Sequence, residues 1–158
     1  MSEGPKNAQF VSTHSWNPER IHAVAFYCSD GRWGEAFDEF CHESLKLPRY
    51  DRFAVPGGPL WVVMRDASLI IPQAAARDQL QFLVEAHELD RILIFGHYGC
   101  AYYAKLLGKG PEECLSAQES DLQVAARMLH GWFGIDVEAF MAMRTGERLW
   151  FRSVPLNP

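Results

Sequence analysis

The sequence has no excess of positive charge, few cysteines and no apolar run long enough to cross a membrane. Its 15 lysines and arginines are outnumbered by 20 aspartates and glutamates, giving a formal net charge of −5. That balance, with no basic stretch to override it, argues against nucleic acid or an anionic membrane surface as the main partner. Runs such as Ala23 to Cys28 fall far short of the roughly 20 apolar residues a transmembrane helix needs. The opening residues hold no basic segment followed by an apolar one, so no secretory signal is expected, and a cytoplasmic location is. Neither a G-x-x-x-x-G-K-S/T loop nor a G-x-G-x-x-G turn follows the first apolar run, which removes the usual nucleotide cradles. No G-x-S-x-G elbow is present. The interval from Cys28 to Arg32 is too short for the phosphate loop of a cysteine phosphatase. There are four cysteines, one of them three residues after a histidine. In a reducing compartment they suit metal binding or catalysis better than disulfides.

What is present reads as one domain. At 158 residues, 48% apolar and 22% charged, the chain can bury a real core. Residues 1–20 carry Ser, Asn, Pro and Gly without periodicity and are expected to form an N-terminal arm, leaving 21–158 as the folded unit. Phe10, Val11 and Trp16 would be odd in a free tail, so the arm is expected to pack on a partner subunit. Strands are expected at His22–Tyr27, Tyr50–Val55 and Arg91–Phe95, the first an almost unbroken apolar run that suits a central strand. Helical spacing covers Trp33–Lys46, Ala74–His87, Cys100–Leu107 and Glu112–Trp132. Periodicity does not decide between strand and loop for Leu60–Met64. Val137–Met143, the turn Thr145-Gly146-Glu147 and Arg148–Val154 read as a closing hairpin. The alternation predicts an α/β fold, a parallel-core sheet with helices on both faces and an antiparallel C-terminal edge hairpin.

Two short clusters carry the chemistry. Cys28-Ser29-Asp30-Gly31-Arg32 follows the first strand and His97-Tyr98-Gly99-Cys100 follows the third, so both belong at the carboxyl ends of parallel strands. Two thiols and an imidazole make a ligand set suited to zinc, and three protein ligands leave a fourth position open. Asp30 sits two residues from Arg32, close enough for a bidentate contact. Asp30 is placed either to orient a water on the metal or to swing onto the metal and close the site. Gly57 and Gly58 would expose N–H groups able to bind a substrate oxygen or a developing anion, or simply make a turn. Phe53, Val55, Tyr98 and Tyr102 can line an apolar pocket for a small substrate. Cys41 lies in an amphipathic helical segment and Cys114 in Pro111-Glu112-Glu113-Cys114-Leu115, and both read as small buried or half-buried residues. His14, His22, His42, His87 and His130 have no ligand partner at useful spacing.

With these motifs the chain resembles the β-class carbonic anhydrases. The resemblance rests on Cys28-Ser29-Asp30-Gly31-Arg32, on Gly96-His97-Tyr98-Gly99-Cys100, and on a tail, Ala142 to Leu149, shaped like that family's last hairpin. It spans roughly residues 20–154. It implies a Zn2+ ion held by Cys28, His97 and Cys100, with Asp30 and Arg32 as a catalytic dyad. The implied reaction is reversible hydration of carbon dioxide to bicarbonate by a zinc-bound hydroxide, in a homodimer or a higher multiple of dimers acting on a small-molecule substrate. Three features depart from the family pattern, one of them a somewhat different interval between the two motifs. Val55-Pro56-Gly57-Gly58 stands where an Arg-Asn-Ala-Gly stretch is common, and Ala101 follows Cys100 where glycine is usual. These place the chain in a short, divergent branch and bring in related zinc hydrolases of carbonyl sulfide or carbon disulfide as alternatives, beside a non-catalytic zinc protein closed by Asp30.

Overall fold

A run that is apolar on both faces has to be covered on both, and β1 (Ala23–Cys28) is buried along its whole length. β3 (Arg91–His97) is buried in all but its first residue. In the computed structural model, which describes residues 5–157, these two strands are the centre of a five-stranded sheet of order β2-β1-β3-β4-β5. β2 (Asp51–Val55), β1, β3 and β4 (Asp136–Thr145) are mutually parallel, and β5 (Arg148–Ser153) returns antiparallel to β4 as the edge hairpin.

Side chains alternate between two layers, as the strand period of two requires. Val24, Phe26, Ile92, Ile94, Ala139 and Met141 pack with α2 (Leu60–Val63), α3 (Ile70–His87) and α5 (Pro111–Phe133). Ala23, Ala25, Tyr27, Leu93, Phe95, Phe140 and Ala142 face the other side, with Phe37 of α1 (Gly34–Glu39). The chain leaves β1 towards β2 on one side and comes back to β3 on the other. The connections at the carboxyl ends of β1 and β3 therefore diverge and open a crevice, the usual ligand position in such sheets. α4 (Ala101–Leu107) starts at that crevice.

Three elements differ from the sequence expectation. Leu60–Val63, open between strand and loop, is a single helical turn whose Leu60 and Val62 are buried. α3 begins at Ile70 rather than after Pro72, because the first turn of a helix has no intrahelical bonds for proline to lose. The helix expected over Trp33–Lys46 is regular only to Glu39 and widens into a π-helical turn at Phe40–Ser44, with Leu45 N–H on the Phe40 carbonyl at 3.1 Å. The wider turn lets Phe40 stack on Phe151 at 4.3 Å while its neighbour Cys41 stays fully buried.

Residues 5–22 form no helix or strand, and Phe10, Val11 and Trp16 are exposed. Arg49 ties the end of this stretch to the body by donating to the carbonyls of Asn17 and Glu19 at 3.0 and 2.9 Å. Among the described residues no helix is long and apolar enough to cross a membrane.

α5 is fastened to α4 and to the α2–α3 linker through one buried carboxylate. Asp121 accepts from Tyr103 Oη and Arg65 Nε, each at 2.7 Å. Burial, and next the charge of Asp121, push the Tyr103 hydroxyl well above the usual phenol range, so it stays a donor. Asp121→Ala strands a buried hydroxyl and a partly buried guanidinium. It is expected to lower the unfolding free energy by about 2–3 kcal/mol in urea titrations, whereas Asp121→Asn keeps acceptor capacity and costs less.

Candidate metal centre

β1 delivers Cys28 to the crevice, and the turn beyond it is built from its own polar groups. Ser29 N–H donates to the Val55 carbonyl at 3.1 Å and Trp33 N–H to the Asp30 carbonyl at 3.0 Å. Asp30 Oδ1 accepts from the Arg32 backbone N–H at 3.1 Å and from Arg32 Nε at 3.0 Å, while Oδ2 accepts from Arg32 Nη2 at 2.6 Å. That two-pronged contact holds the Asp30 carboxyl at about 2, below the ordinary carboxylate range, against a smaller upward push from burial.

β3 delivers His97, whose backbone N–H donates to Gln118 Oε1 of α5 at 3.1 Å. The Tyr98 N–H then continues onto the Ala142 carbonyl of β4 at 2.8 Å. His97 Nδ1 lies 3.0 Å from the Tyr98 carbonyl. A carbonyl can only accept, so Nδ1 carries the proton and Nε2 keeps its lone pair. Nε2 is buried and has no hydrogen-bond partner among the described residues. Trp33 packs beside the imidazole with ring centroids 5.1 Å apart.

Cys100 immediately precedes α4 and turns its sulfur back to β1, 4.0 Å from Cys28 Sγ. Donor atoms of Cys28, His97 and Cys100 all lie within 4.8 Å of one another. Two thiolates on one tetrahedral zinc, each at about 2.3 Å, stand roughly 3.8 Å apart, so the sulfur spacing fits such an ion. The orphaned Nε2 fits it as well, since a buried ring nitrogen without a partner is costly unless something fills its lone pair. The three residues thus form a group able to hold a metal, and no other such group occurs among the described residues. Asp30 stands outside it, turned to Arg32.

The two sulfurs are unequal. The Cys100 S–H donates to Cys28, which draws the Cys28 thiol well below the ordinary thiol range in spite of burial, with the Gly57 N–H helping. The Cys28 thiolate in turn pushes Cys100 up, and burial adds to it. Such a pair is one proton short of neutral and ready to exchange the other for a cation.

The glycines after β2 hold Cys28 in place. Gly57 N–H donates to Cys28 Sγ at 3.3 Å, and Gly58 N–H donates to the Val55 carbonyl at 2.9 Å. The sequence reading offered these N–H groups either to a substrate oxygen or to a plain turn; here each has a partner within the chain. Gly58, at φ +54°, crosses so close to β1 that a Cβ would lie 2.8 Å from the Cys28 nitrogen.

In front of Asp30 a recess of about 410 Å³ is lined by Cys28, Ser29, Asp30, Arg32, Pro56, Ala101, Tyr102 and Lys105. Of the aromatic and apolar residues expected there, Tyr102 is present. Tyr98 lines a neighbouring recess with Trp33 and Arg144, and Phe53 is stacked on Phe26 at 4.6 Å in the core. Cys41 and Cys114 are buried and unpaired as expected. His87 is spent on Asp51 at 2.7 Å and His130 on the Ile135 carbonyl at 2.8 Å. Sequence reasoning missed Gln118, Trp33 and Lys105. Only Lys105 left a trace, four residues after Ala101 and hence on the same face of α4.

No family model matches the chain, and no curated protein sequence does. Solved structures do match. One of the tetrameric β-carbonic anhydrases of the filamentous ascomycete Sordaria macrospora aligns over 84% of this chain and 81% of its own, with 13% identity and a TM-score of 0.55. The β-carbonic anhydrase CafA of Aspergillus fumigatus aligns over 88% and 78%, with 16% identity and a TM-score of 0.54. Isoform I of the Trichomonas vaginalis β-carbonic anhydrase aligns over 89% and 87%, with 13% identity and a TM-score of 0.51. At such identities the likeness concerns the backbone, and the parallel core closed by an antiparallel C-terminal pair is in this chain the fold of the β-carbonic anhydrases.

Proposed function

We propose that the chain is a zinc-dependent lyase that hydrates carbon dioxide reversibly to bicarbonate and a proton. The observation that carries this reading is the convergence of Cys28, His97 and Cys100 in a buried cluster whose imidazole Nε2 has no hydrogen-bond partner among the described residues. Thiolate and imidazole donors suit zinc rather than the hard cations. When bound, the ion supplies a Lewis acid that lowers the pKa of water at its open position.

The rest of the chemistry falls to the chain's own residues. Asp30 accepts a hydrogen bond from water in the recess and so turns a lone pair towards the substrate. Arg32 keeps that carboxylate ionised and still, which makes Asp30 an acceptor rather than an acid near neutral pH. Pro56, Ala101 and the Tyr102 ring offer a largely apolar wall for a neutral, linear molecule. The Arg32 contact also argues against Asp30 as a permanent fourth ligand. Because Pro56 and Ala101, two of the departures from the family pattern, both line the recess, carbonyl sulfide is the second substrate to try. The exposed apolar residues of the arm support assembly into dimers or multiples of dimers, and the net charge of −5 supports a small-molecule role over nucleic-acid binding.

The test is zinc content by mass spectrometry together with stopped-flow proton release on mixing with carbon dioxide. One zinc per chain and a rate well above buffer are expected. Zinc-replete protein with no rate above buffer between about pH 7 and 9, where activated water titrates, removes the reading, and sulfide release from carbonyl sulfide alone would favour the second substrate.

A further inference from the structure

The proposed substrate is neutral, but the proposed product is an anion that leaves through the same recess. Two cationic side chains line that recess, Arg32 and Lys105. Arg32 is committed to Asp30 through three side-chain hydrogen bonds, so the pair adds no net charge. Lys105 is exposed and forms no ion pair among the described residues, although most arginines of the chain do.

Its position is set by α4. Ala101, Tyr102 and Lys105 line the recess together, as residues i, i+1 and i+4 of one helix do. Tyr102 lies so tightly over Gly57 that a Cβ there would meet its ring at 2.6 Å, which fixes the face α4 turns to the site. With Asp30 and Arg32 cancelling each other, Lys105 is the cationic side chain of the recess lining that has no ion-pair partner among the described residues. We infer that Lys105 is the anion-selecting residue of this site, holding small monovalent anions at the mouth of the recess. This rests on the reading above for the identity of the natural anion, bicarbonate, but not for the binding itself.

The experiment uses thiocyanate as the probe, titrated into the purified full chain by calorimetry and into its cobalt(II)-substituted form by visible absorption. Lys105→Gln is expected to weaken thiocyanate binding roughly threefold to tenfold at low ionic strength, as loss of one exposed charge a few ångströms away should. The difference is expected to fade as salt screens it, and Lys105→Arg is expected to restore the affinity. A merely structural role would not be rescued by arginine or fade with salt. Wild-type protein that binds no thiocyanate, or an equal affinity in Lys105→Gln, overturns the inference. An inactive wild type whose thiocyanate affinity still depends on Lys105 sinks the lyase reading and leaves this one standing, whereas an active wild type with equal affinities does the reverse.

Discussion

His97→Ala and Cys28→Ser are each expected to empty the metal centre. The site has three protein donors, and the carboxylate beside it, Asp30, is held away by Arg32, so a lost ligand is not readily replaced. Loss of a residue that merely supports a ligand typically costs 10- to 100-fold in metal affinity, so loss of a ligand is expected to exceed roughly 100-fold. Serine is no substitute for Cys28, because the hydroxyl does not ionise where the thiol does. Competition with a chromophoric chelator gives the affinity, and metal analysis after dialysis gives the occupancy. Stoichiometric, tightly held zinc in Cys28→Ser would show that the ligand assignment is wrong.

Asp30→Asn is expected to separate binding from turnover. Asparagine has the shape of aspartate, keeps the residue-30 backbone N–H beside Cys28, and replaces a carboxylate that is not one of the three donors, so zinc content should stay at the wild-type level. Its amide nitrogen offers a donor where the reaction needs an acceptor, and it can no longer draw in Arg32 by charge. A positioned proton acceptor contributes typically 10²- to 10⁴-fold, and a fall of roughly 10²-fold or more in kcat is expected by stopped flow. Full activity would remove Asp30 from the mechanism. Loss of zinc along with activity would mean that the residue maintains the centre rather than the reaction.

The parts of the fold that could be read in the sequence were those where one residue pattern answers one local demand. β1 and β3 are continuous apolar runs because both faces are covered, and Asp30 meets Arg32 because the two are adjacent on one turn. Leu60–Val63 resisted because four apolar residues with two valines carry no period. Their helical turn is set by burial of Leu60 and Val62, which local spacing does not report. Pro72 misled by being a helix breaker everywhere except in a first turn.

At the centre, Cys28, His97 and Cys100 were legible because each ends a strand or starts a helix. Gln118 was not, since it reaches the His97 backbone only after α5 has packed across β3. The same limit applies to Gly57, whose N–H proved to serve the Cys28 sulfur. A glycine pair announces backbone freedom, and the partner it finds is decided by which strand lies alongside.

The contact between Trp33 and His97 gives the molecule an optical gauge. Of its five tryptophans, Trp33 is the most enclosed, at 5% exposure, and its ring is 5.1 Å from the imidazole. A cation arriving on that imidazole alters the field at the indole, so titrating apoprotein with zinc is expected to change its ultraviolet emission, and Trp33→Phe is expected to abolish most of that change. Occupancy can then be followed in real time without dye or label, and an emission that ignores zinc in the wild type would place the ion elsewhere.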